Sequence, residues 1–271
     1  MPDARALLAP CDAGPVRVPP GRAVLIPSPR HSRADLEAWA RVSRADVALG
    51  KTRRMQQIED DAVACVRAFV EASPLGYAGL SCGKDSCALM GILRALHRRH
   101  GLRVPVAYVR VMPMENPDNA RVLDALRDAC ADALAGLDVI DVACVRVGDA
   151  WVGTGRLSTG FELASLRYGD RYVSGIRADE SRARTLRHAG HGTTTARTCA
   201  PLSRWSAADV YAYLTREALP IHPAYACTFG GELDRARIRV ATLGGDRGTG
   251  HGRRGWEMHY YGAEMAALGM R

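Results

Sequence analysis

The sequence predicts an α/β fold in which a parallel sheet is covered by helices on both faces. The main observation is an alternation between short apolar segments and segments with helical periodicity, which is typical of strands joined by crossover helices. The chain has 271 residues, of which 47% are hydrophobic, so it can bury the core of one sizeable domain or two small ones. Four apolar segments are typical of buried strands: residues 75–80, 104–111, 137–145 and 171–175.

Three regions differ in composition. Residues 1–30 contain seven prolines and little periodicity, so we predict an extended arm that drapes over a partner surface or stays mobile. Residues 31–228 carry the strand and helix alternation and form the predicted domain. Residues 229–271 form an extension rich in glycine and arginine. This extension is interpreted as a lid over phosphates, as a contact for nucleic acid, or as a flexible connection to a terminal helix packed by Trp256 and Met265.

Helices are predicted between the strands from the spacing of apolar residues. The apolar residues Ile58, Ala62, Cys65 or Val66, and Phe69 have helical spacing, and the break at 73–74 ends that helix. A second helix runs from about residue 86 to 100, where a glycine follows and provides a stop.

Two further helices are predicted from their first residues. Asn116 precedes Pro117, which predicts a helix capped by the asparagine with proline in its first position. Ser206 is followed three residues later by Asp209, which predicts a capping box. No internal repeat is found in the sequence.

The charge of the chain is compatible with an anionic partner. The formal net charge is +8 and the sequence pI is about 9.3, which suits either a nucleic acid or a phosphate-bearing small molecule. A general preference for arginine explains the same values equally well, because only Lys51 and Lys84 among the 37 basic residues are lysines.

The cysteines and the hydropathy exclude several classes. The eight cysteines form no CxxC pair, so we expect neither a zinc site nor an iron–sulfur cluster. There is no basic leader followed by an apolar run and no stretch of ~18 apolar residues, so no membrane association is expected. A soluble, cytoplasmic protein with free thiols is the expectation.

The segment 81–86, Ser-Cys-Gly-Lys-Asp-Ser, stands between the first core strand and a helix. Amide groups at a helix start hold anions, glycine allows close approach of the backbone to phosphate, and the lysine amine adds a compact positive charge. The segment is not a Walker A loop, since Asp85 follows the lysine where that motif has Ser or Thr. An aspartate beside phosphates is repulsive unless it binds a metal or orients an amide, so we expect Mg²⁺ to bridge Asp85 and phosphate oxygens.

A second polar turn, at 174–182, follows a later strand. The carboxyl ends of parallel strands meet at one edge of the sheet, which is where such sheets bind ligands. We therefore expect the two turns to face one crevice.

The segment 81–86 resembles the pyrophosphate-binding loop (PP-loop) of the N-type ATP pyrophosphatases, and more closely that of the phosphoadenosine phosphosulfate (PAPS) reductase family. Two later stretches are similar to that family in the same order, SGIRADESRAR at 174–184 and PLSRWSAADVYAYL at 201–214, which leads to LPIHPAY at 219–225. The resemblance spans roughly residues 55 to 228. It implies five parallel strands with helices on both sides, and ATP or another adenylyl nucleotide as the ligand.

The resemblance implies the positions that bind the nucleotide. The loop would hold the β- and γ-phosphates, the backbone of the strand at 107–109 would face adenine, and the glycine of the second motif would lie against the ribose or adenine. The nucleotide-binding residues implied are Ser81, Gly83, Lys84, Asp85, Ser86, Val109, Gly175 and Ser181.

It also implies the residues that act on the phosphates. Arg177 and Arg184 would meet phosphate or an acidic substrate, and Glu180 would hold Arg184 or bind metal. A surface salt bridge of either arginine with Asp179 or Glu180 is the simpler interpretation. The catalytic residues implied are Lys84, Asp85, Arg177, Arg184 and Glu180.

The chain departs from PAPS reductases at its end. Those enzymes use a C-terminal cysteine in a Glu-Cys-Gly-Leu-His setting, whereas no cysteine follows Cys227 here. The chemistry that remains is cleavage of ATP to AMP and pyrophosphate, which adenylates a substrate oxygen so that sulfur can replace it. Such a role resembles that of the DNA phosphorothioation protein SspD. It implies a sulfur-donor protein such as a cysteine desulfurase, a nucleic acid, and a homo-oligomer or a complex.

Three alternatives stay open at this point. The chain is a sulfonucleotide reductase with its cysteine in another place, an enzyme like the small subunit of sulfate adenylyltransferase, or a non-catalytic adapter that binds nucleotide and nucleic acid. Cys199 and Cys227 are the candidate persulfide carriers, although buried free thiols are the commoner case. His222 is predicted to fix its loop by a hydrogen bond rather than to act as an acid or base.

Overall fold

The computed structural model describes residues 24–73, 75–147, 150–152, 157–240, 242–244 and 253–270. The strands are β1 (Val24–Leu25), β2 (Tyr77–Leu80), β3 (Val104–Met112), β4 (Leu134–Ala143), β5 (Val145–Val147), β6 (Ala150–Val152), β7 (Tyr172–Val173), β8 (Thr198–Cys199) and β9 (Pro220–Ile221). The helices are α1 (Arg33–Gly50), α2 (Arg53–Ala72), α3 (Lys84–His100), α4 (Asn119–Cys130), α5 (Leu157–Tyr168), α6 (Arg182–His191), α7 (Ala207–Arg216), α8 (Arg253–Tyr260) and α9 (Gly262–Ala267).

The centre of the fold is a five-stranded sheet in the order β4-β3-β2-β7-β8, and all of its neighbouring strands are parallel. The predicted α/β class and the five strands implied by the resemblance are confirmed. The chain moves outward from β2 to β3 and β4, and then returns to the other side of β2 for β7 and β8. The strand order therefore switches between β2 and β7, and both strands end at the edge where parallel sheets bind ligands.

The sheet is covered on both faces. Helix α3 is buried along most of its length and packs between the sheet and α7. On the other face, α5 lies so close to β3 that a Cβ on Gly160 would stand 2.2 Å from Val109 Cγ1. Only glycine permits this contact, so residue 160 allows α5 to pack directly against β3.

Both ends of the described chain are joined to the core. β1 pairs in parallel with β9, so residues 24–25, at the end of the region predicted as an arm, belong to a second small sheet. In the extension, Trp256 and Met265 are buried in the main core, and Trp256 Nε1 donates to the Cys227 carbonyl at 2.7 Å. These contacts agree with the predicted packing of a terminal helix. Residues 1–23 and the glycine-rich part of the extension at 245–252 lie outside the described residues.

One helix start was predicted incorrectly. α4 begins at Asn119 with Asp118 as its N-cap, and not after Asn116. The Asn116 side chain instead accepts a hydrogen bond from the Asp118 amide at 3.0 Å, which makes a turn two residues before the helix. The capping box of Ser206 and Asp209 at the start of α7 is confirmed.

The strand β8 was not predicted, because its two residues follow the largely polar segment 193–197 and belong to no apolar run. An antiparallel pair, β5 with β6, lies apart from the main sheet. Among the described helices, none combines the length and the apolar character needed to cross a bilayer.

Candidate functional site

The segment 81–86 leaves β2 and turns into α3 at the carboxyl edge of the sheet. Cys82 has a φ of +57°, a left-handed conformation that is uncommon for a residue with a side chain. Gly83 is the N-cap of α3 and provides no side-chain cap. Within the described residues, the amides of Asp85 and Ser86 have no acceptor, as expected for the first turn of a helix. The start of α3 therefore keeps backbone donors for an anion.

Lys84 is buried at this helix start, with only 2% of its side chain exposed. Its Nζ lies 3.1 Å from Asp85 Oδ2 and 5.3 Å from the centre of the Tyr225 ring. Burial lowers the pKa of Lys84, while the carboxylate of Asp85 acts against that shift. The ammonium therefore lies between a carboxylate and a ring face, at a position from which water is largely excluded.

Tyr225 joins the 219–225 motif to the same helix start. Its hydroxyl oxygen accepts a hydrogen bond from the Lys84 amide at 2.9 Å. Burial raises the pKa of Tyr225, so the phenol stays protonated and its hydrogen remains available to an acceptor. The resemblance includes this motif but implies no role for the tyrosine.

The two serines of the loop brace its backbone. Ser86 Oγ donates to the Gly83 carbonyl at 2.9 Å and accepts from the Ser81 amide at 3.2 Å. Ser81 Oγ lies 3.2 Å from Ser86 Oγ. These bonds close the loop on itself and preset its shape.

Asp85 connects the first motif, the loop 81–86, to the second motif, residues 174–184. Its Oδ1 accepts from Arg177 Nε, while its Oδ2 faces Lys84. Arg177 is 2% exposed and also contacts the Asp179 carboxylate and the Trp205 carbonyl. The simpler interpretation of a salt bridge with Asp179 is therefore correct for one contact, but this arginine is buried and holds two motifs together.

In the folded chain, the side chains around Asp85 do not provide the ligands that a magnesium ion needs. Both oxygens of Asp85 are occupied by cationic side chains of the same chain. Over the described ranges, no three His, Cys, Asp or Glu side chains come together as metal ligands. The binding of Mg²⁺ through Asp85 stays a prediction.

Gly175 explains how closely the two motifs approach. A Cβ on Gly175 would stand 2.8 Å from the Asp85 carbonyl oxygen and 3.1 Å from the Ser86 amide nitrogen. A side chain there would push the second motif away from the start of α3. The role of Gly175 beside ribose or adenine stays a prediction.

The end of the second motif carries a second basic group. Glu180 forms an ion pair with Arg184, as one interpretation of the sequence predicted, and Ser181 caps α6 by accepting from the Arg184 amide at 3.3 Å. Burial and the nearby Arg239 lower the pKa of Arg184. Arg239 Nη2 donates to the Glu180 carbonyl at 2.8 Å, and its charge also lowers the pKa of Lys84.

Arg239 is a residue of the site that the sequence did not predict. It lies in the extension, more than fifty residues after Arg184, and no local pattern distinguishes it from the many other arginines. Only the fold brings it to the cluster of Lys84, Arg177 and Arg184.

Val109 belongs to the part of β3 that extends beyond its pairing with β2, which ends at Tyr108. Its side chain is buried and packs with Val111 and Val142. Only the backbone of Val109 can therefore face a ligand, which is the role the resemblance implies for adenine.

A groove starts next to Gly175, on the side of α6. Ser174 and Ile176 line it together with Arg187, His188 and Thr195. It places hydroxyl, imidazole and guanidinium groups beside the second motif.

The remaining candidates are two cysteines and a histidine. Cys199 and Cys227 are buried free thiols. A hydrogen bond with Cys65 and burial raise the pKa of Cys199, and burial raises the pKa of Cys227 to about 12. His222 is fully buried and its Nδ1 accepts from the Ala224 amide at 3.1 Å, so it fixes the turn that carries Tyr225.

Comparisons with known proteins identify related sequences. Residues 163–231 match the phosphoadenosine phosphosulfate reductase domain. Over 217 residues, the chain is 27% identical to sulfate adenylyltransferase subunit 2 of Nocardia farcinica, and this alignment covers 67% of the chain and 68% of that protein. The matched domain segment includes the second and third motifs. Both similarities agree with the family predicted from the sequence.

Proposed function

We propose that the chain is an ATP pyrophosphatase that transfers the adenylyl group of ATP to an oxyanion. The parallel sheet and both sequence matches support its place in the phosphoadenosine phosphosulfate reductase family. The family by itself supports an enzyme of adenylyl transfer or of sulfonucleotide chemistry. The observation that carries the narrower proposal is the buried Lys84 at a helix start that has no side-chain cap.

In this proposal the loop 81–86 holds the leaving pyrophosphate. An acceptor oxygen attacks the α-phosphorus, the bond from that phosphorus to the bridging oxygen breaks, and pyrophosphate leaves with the electron pair. Lys84, the free amides of α3 and the Tyr225 hydroxyl neutralise the charge that develops on it. The loop is preset by its serines, so little reorganisation accompanies the step.

The arginines have two different tasks in this proposal. Arg177 is held by carboxylates and a carbonyl, so it positions Asp85 and the second motif. Arg184 and Arg239 lie further out, and with both present the cluster has more positive than negative charge. We assign them to the α-phosphate and the acceptor. The backbone of β3 near Val109 would bind adenine.

The acceptor is an oxyanion in the groove lined by Ser174, Arg187 and His188. The name of the Nocardia protein makes sulfate the first acceptor to test. A backbone phosphate of DNA, activated so that a sulfur-donor protein can replace oxygen, is the second. That relative is named as a subunit, so we also propose that this chain works with a partner protein.

The test is a product analysis. The full chain is incubated with ATP and Mg²⁺, alone and with sulfate or with duplex DNA and a cysteine-derived sulfur donor. We expect pyrophosphate together with AMP or an adenylated product, with sulfate yielding adenosine phosphosulfate. ADP and orthophosphate as products would contradict the proposal.

A substitution of Arg239 tests whether this distant residue belongs to the site. We expect Arg239→Ala to reduce kcat/KM for ATP about tenfold, the effect of losing one charge-assisted contact of about 1.4 kcal/mol. Arg237→Ala, in an exposed position of the same segment, is the matched control. Equal activities of the two variants would remove Arg239 from the site.

Sulfonucleotide reduction is a second candidate, favoured by the domain match. It predicts release of sulfite from PAPS in the presence of thioredoxin, lost on replacement of one cysteine. The same preparation should be assayed for both reactions, since the products differ.

A further inference from the structure

Two cysteines far apart in the sequence meet outside the candidate site. Cys65 on α2 and Cys199 on β8 are 134 residues apart, and their Sγ atoms lie 3.5 Å from each other. Cys199 is fully buried, whereas Cys65 is partly exposed. The two sulfurs need to approach by only about 1.5 Å to reach the length of a disulfide bond.

The surroundings of Cys65 favour its thiolate. Thr194 Oγ1 lies 3.3 Å and Thr193 Oγ1 lies 4.0 Å from Cys65 Sγ. A backbone bridge from Thr194 to Cys199 and a hydrogen bond from the Ala200 amide to the Thr193 carbonyl at 2.8 Å hold both threonines beside the pair. Its hydrogen bonds with Cys199, Thr194 and Thr193 lower the pKa of Cys65 to about 6.

Four of the other described cysteines lack these features. Cys82, Cys87, Cys130 and Cys227 are buried, and burial raises the pKa of each thiol. Cys65 therefore combines access to solvent, a stabilised thiolate and a second sulfur in contact, which are the properties of a reactive dithiol.

We infer that Cys65 and Cys199 form a redox-active thiol pair that exchanges with low-molecular-weight disulfides. The Cys65 thiolate attacks one sulfur of the small disulfide, forming a mixed disulfide and releasing one thiolate. Cys199 then loses its proton and attacks the Cys65 sulfur, which closes the Cys65–Cys199 bond and releases the second thiolate. The protein gives up two electrons and the small disulfide is reduced to two thiols.

The bond would tie α2 to the edge strand β8. The Cys199 carbonyl accepts from the Ser174 amide at 2.8 Å, directly before Gly175. The pair thus lies one strand away from the second motif, although the inference does not depend on the proposed adenylyl transfer.

Peptide mapping of the full chain tests the pair directly. The reduced protein is incubated with oxidised glutathione, remaining thiols are alkylated, and a non-reducing tryptic digest is analysed by mass spectrometry. Trypsin yields peptides 55–67 and 198–204, each with a single cysteine. We expect these two to be the main linked peptides, with two thiols lost per chain and restored by dithiothreitol. Linkage between other cysteines, or no linkage of this pair, would overturn the inference.

Two variants separate the steps. Cys199→Ser keeps a hydrogen-bond donor and should stop the reaction at a glutathione adduct on Cys65. Cys65→Ser should take up no glutathione at Cys199, which is buried. Cys130→Ala, a buried thiol elsewhere, is the control and should form the disulfide like the parent chain. If Cys199→Ser forms no adduct, Cys65 is not the attacking thiol. If a variant does not fold, the peptide map of the unchanged protein decides whether the pair forms.

Discussion

Helices α3 and α7 pack against each other but begin in opposite ways. At α7, Ser206 Oγ accepts from the Asp209 amide at 3.1 Å, and the Asp209 carboxylate accepts from the Ser206 amide at 2.8 Å. At α3, Gly83 has no side chain to offer, and the carboxylate of Asp85 faces Lys84 and Arg177. One helix start is completed by its own side chains, while the other is surrounded by cations.

The difference shows how an ordinary helix start can become a binding site for an anion. Every helix start has free amides and a partial positive charge, and a local cap usually satisfies part of both. The start of α3 differs because its cap is a glycine and because Lys84 and Arg177 add full charges. An anion can therefore take the place that the Ser206 hydroxyl and the Asp209 carboxylate occupy at α7.

The largest effect is expected from removing the charge at α3. Lys84→Ala should lower kcat/KM for pyrophosphate release about 100-fold or more, as for loss of one group that stabilises transition-state charge. Lys51→Ala, which removes the other lysine at an exposed position, is the control and should leave the rate unchanged. Equal rates for the two variants would mean that α3 is no more an anion site than α7.

The turn that carries Tyr225 to the start of α3 should depend on pH through His222. Burial lowers the pKa of His222 to about 3, whereas the unfolded chain has a value near 6.5. Between these values the unfolded chain binds a proton that the folded chain does not, so stability is lost as the pH falls below about 6.5.

From pH 7 to pH 5, this group should account for a loss of about 2 kcal/mol in the free energy of unfolding, measured with urea. His222→Asn retains an acceptor for the Ala224 amide and does not titrate, so it should lack this part of the pH dependence. The same slope in both proteins would show that His222 is not the group responsible.

A carboxylate can be added to α3 so that its start is capped by its own chain. The backbone of Gly83, with a φ of −74°, suits any residue, and a Cβ there would lie 3.3 Å from Tyr225 Oη. Gly83→Asp should raise the Kd for ATP about tenfold, since its carboxylate competes for the amides, a change of about 1.4 kcal/mol. Gly83→Ala adds the Cβ alone and should show a smaller change. An unchanged Kd for the aspartate variant would speak against anion binding at these amides.

The smallest effect is expected at α7. Ser206→Ala removes one cap and should lower the free energy of unfolding by about 1 kcal/mol, measured by urea denaturation, without changing the Kd for ATP. A clear loss of ATP affinity would show that the two helix starts are not functionally distinct.

Local patterns predicted the elements whose signal lies within a few residues. The strands β2, β3, β4 and β7, the body of α3 and the capping box of α7 were found in this way. The prediction for Asn116 was wrong because an asparagine that bonds an amide two residues ahead and one that caps a helix look the same in sequence. β8 was missed because the residues around it form no apolar run, unlike those around β7.

The candidate site was predicted only in part for a related reason. The loop 81–86 and the segment 174–184 are continuous, so their residue types indicate their chemistry. Tyr225, Arg239 and the contact between Cys65 and Cys199 depend on distant segments meeting, and nothing in the neighbouring residues marks them.

The sequence by itself determined several of the strands and helices, among them β3 and the body of α3, because hydrophobic periodicity acts over a few residues. The tertiary structure alone decided that α3 begins after Gly83 without a side-chain cap, which charges surround its start and how close they lie. Burial and electrostatic interactions act through space, so Asp85 faces Arg177, and Arg239 joins Arg184, only once the sheet brings their loops to one edge.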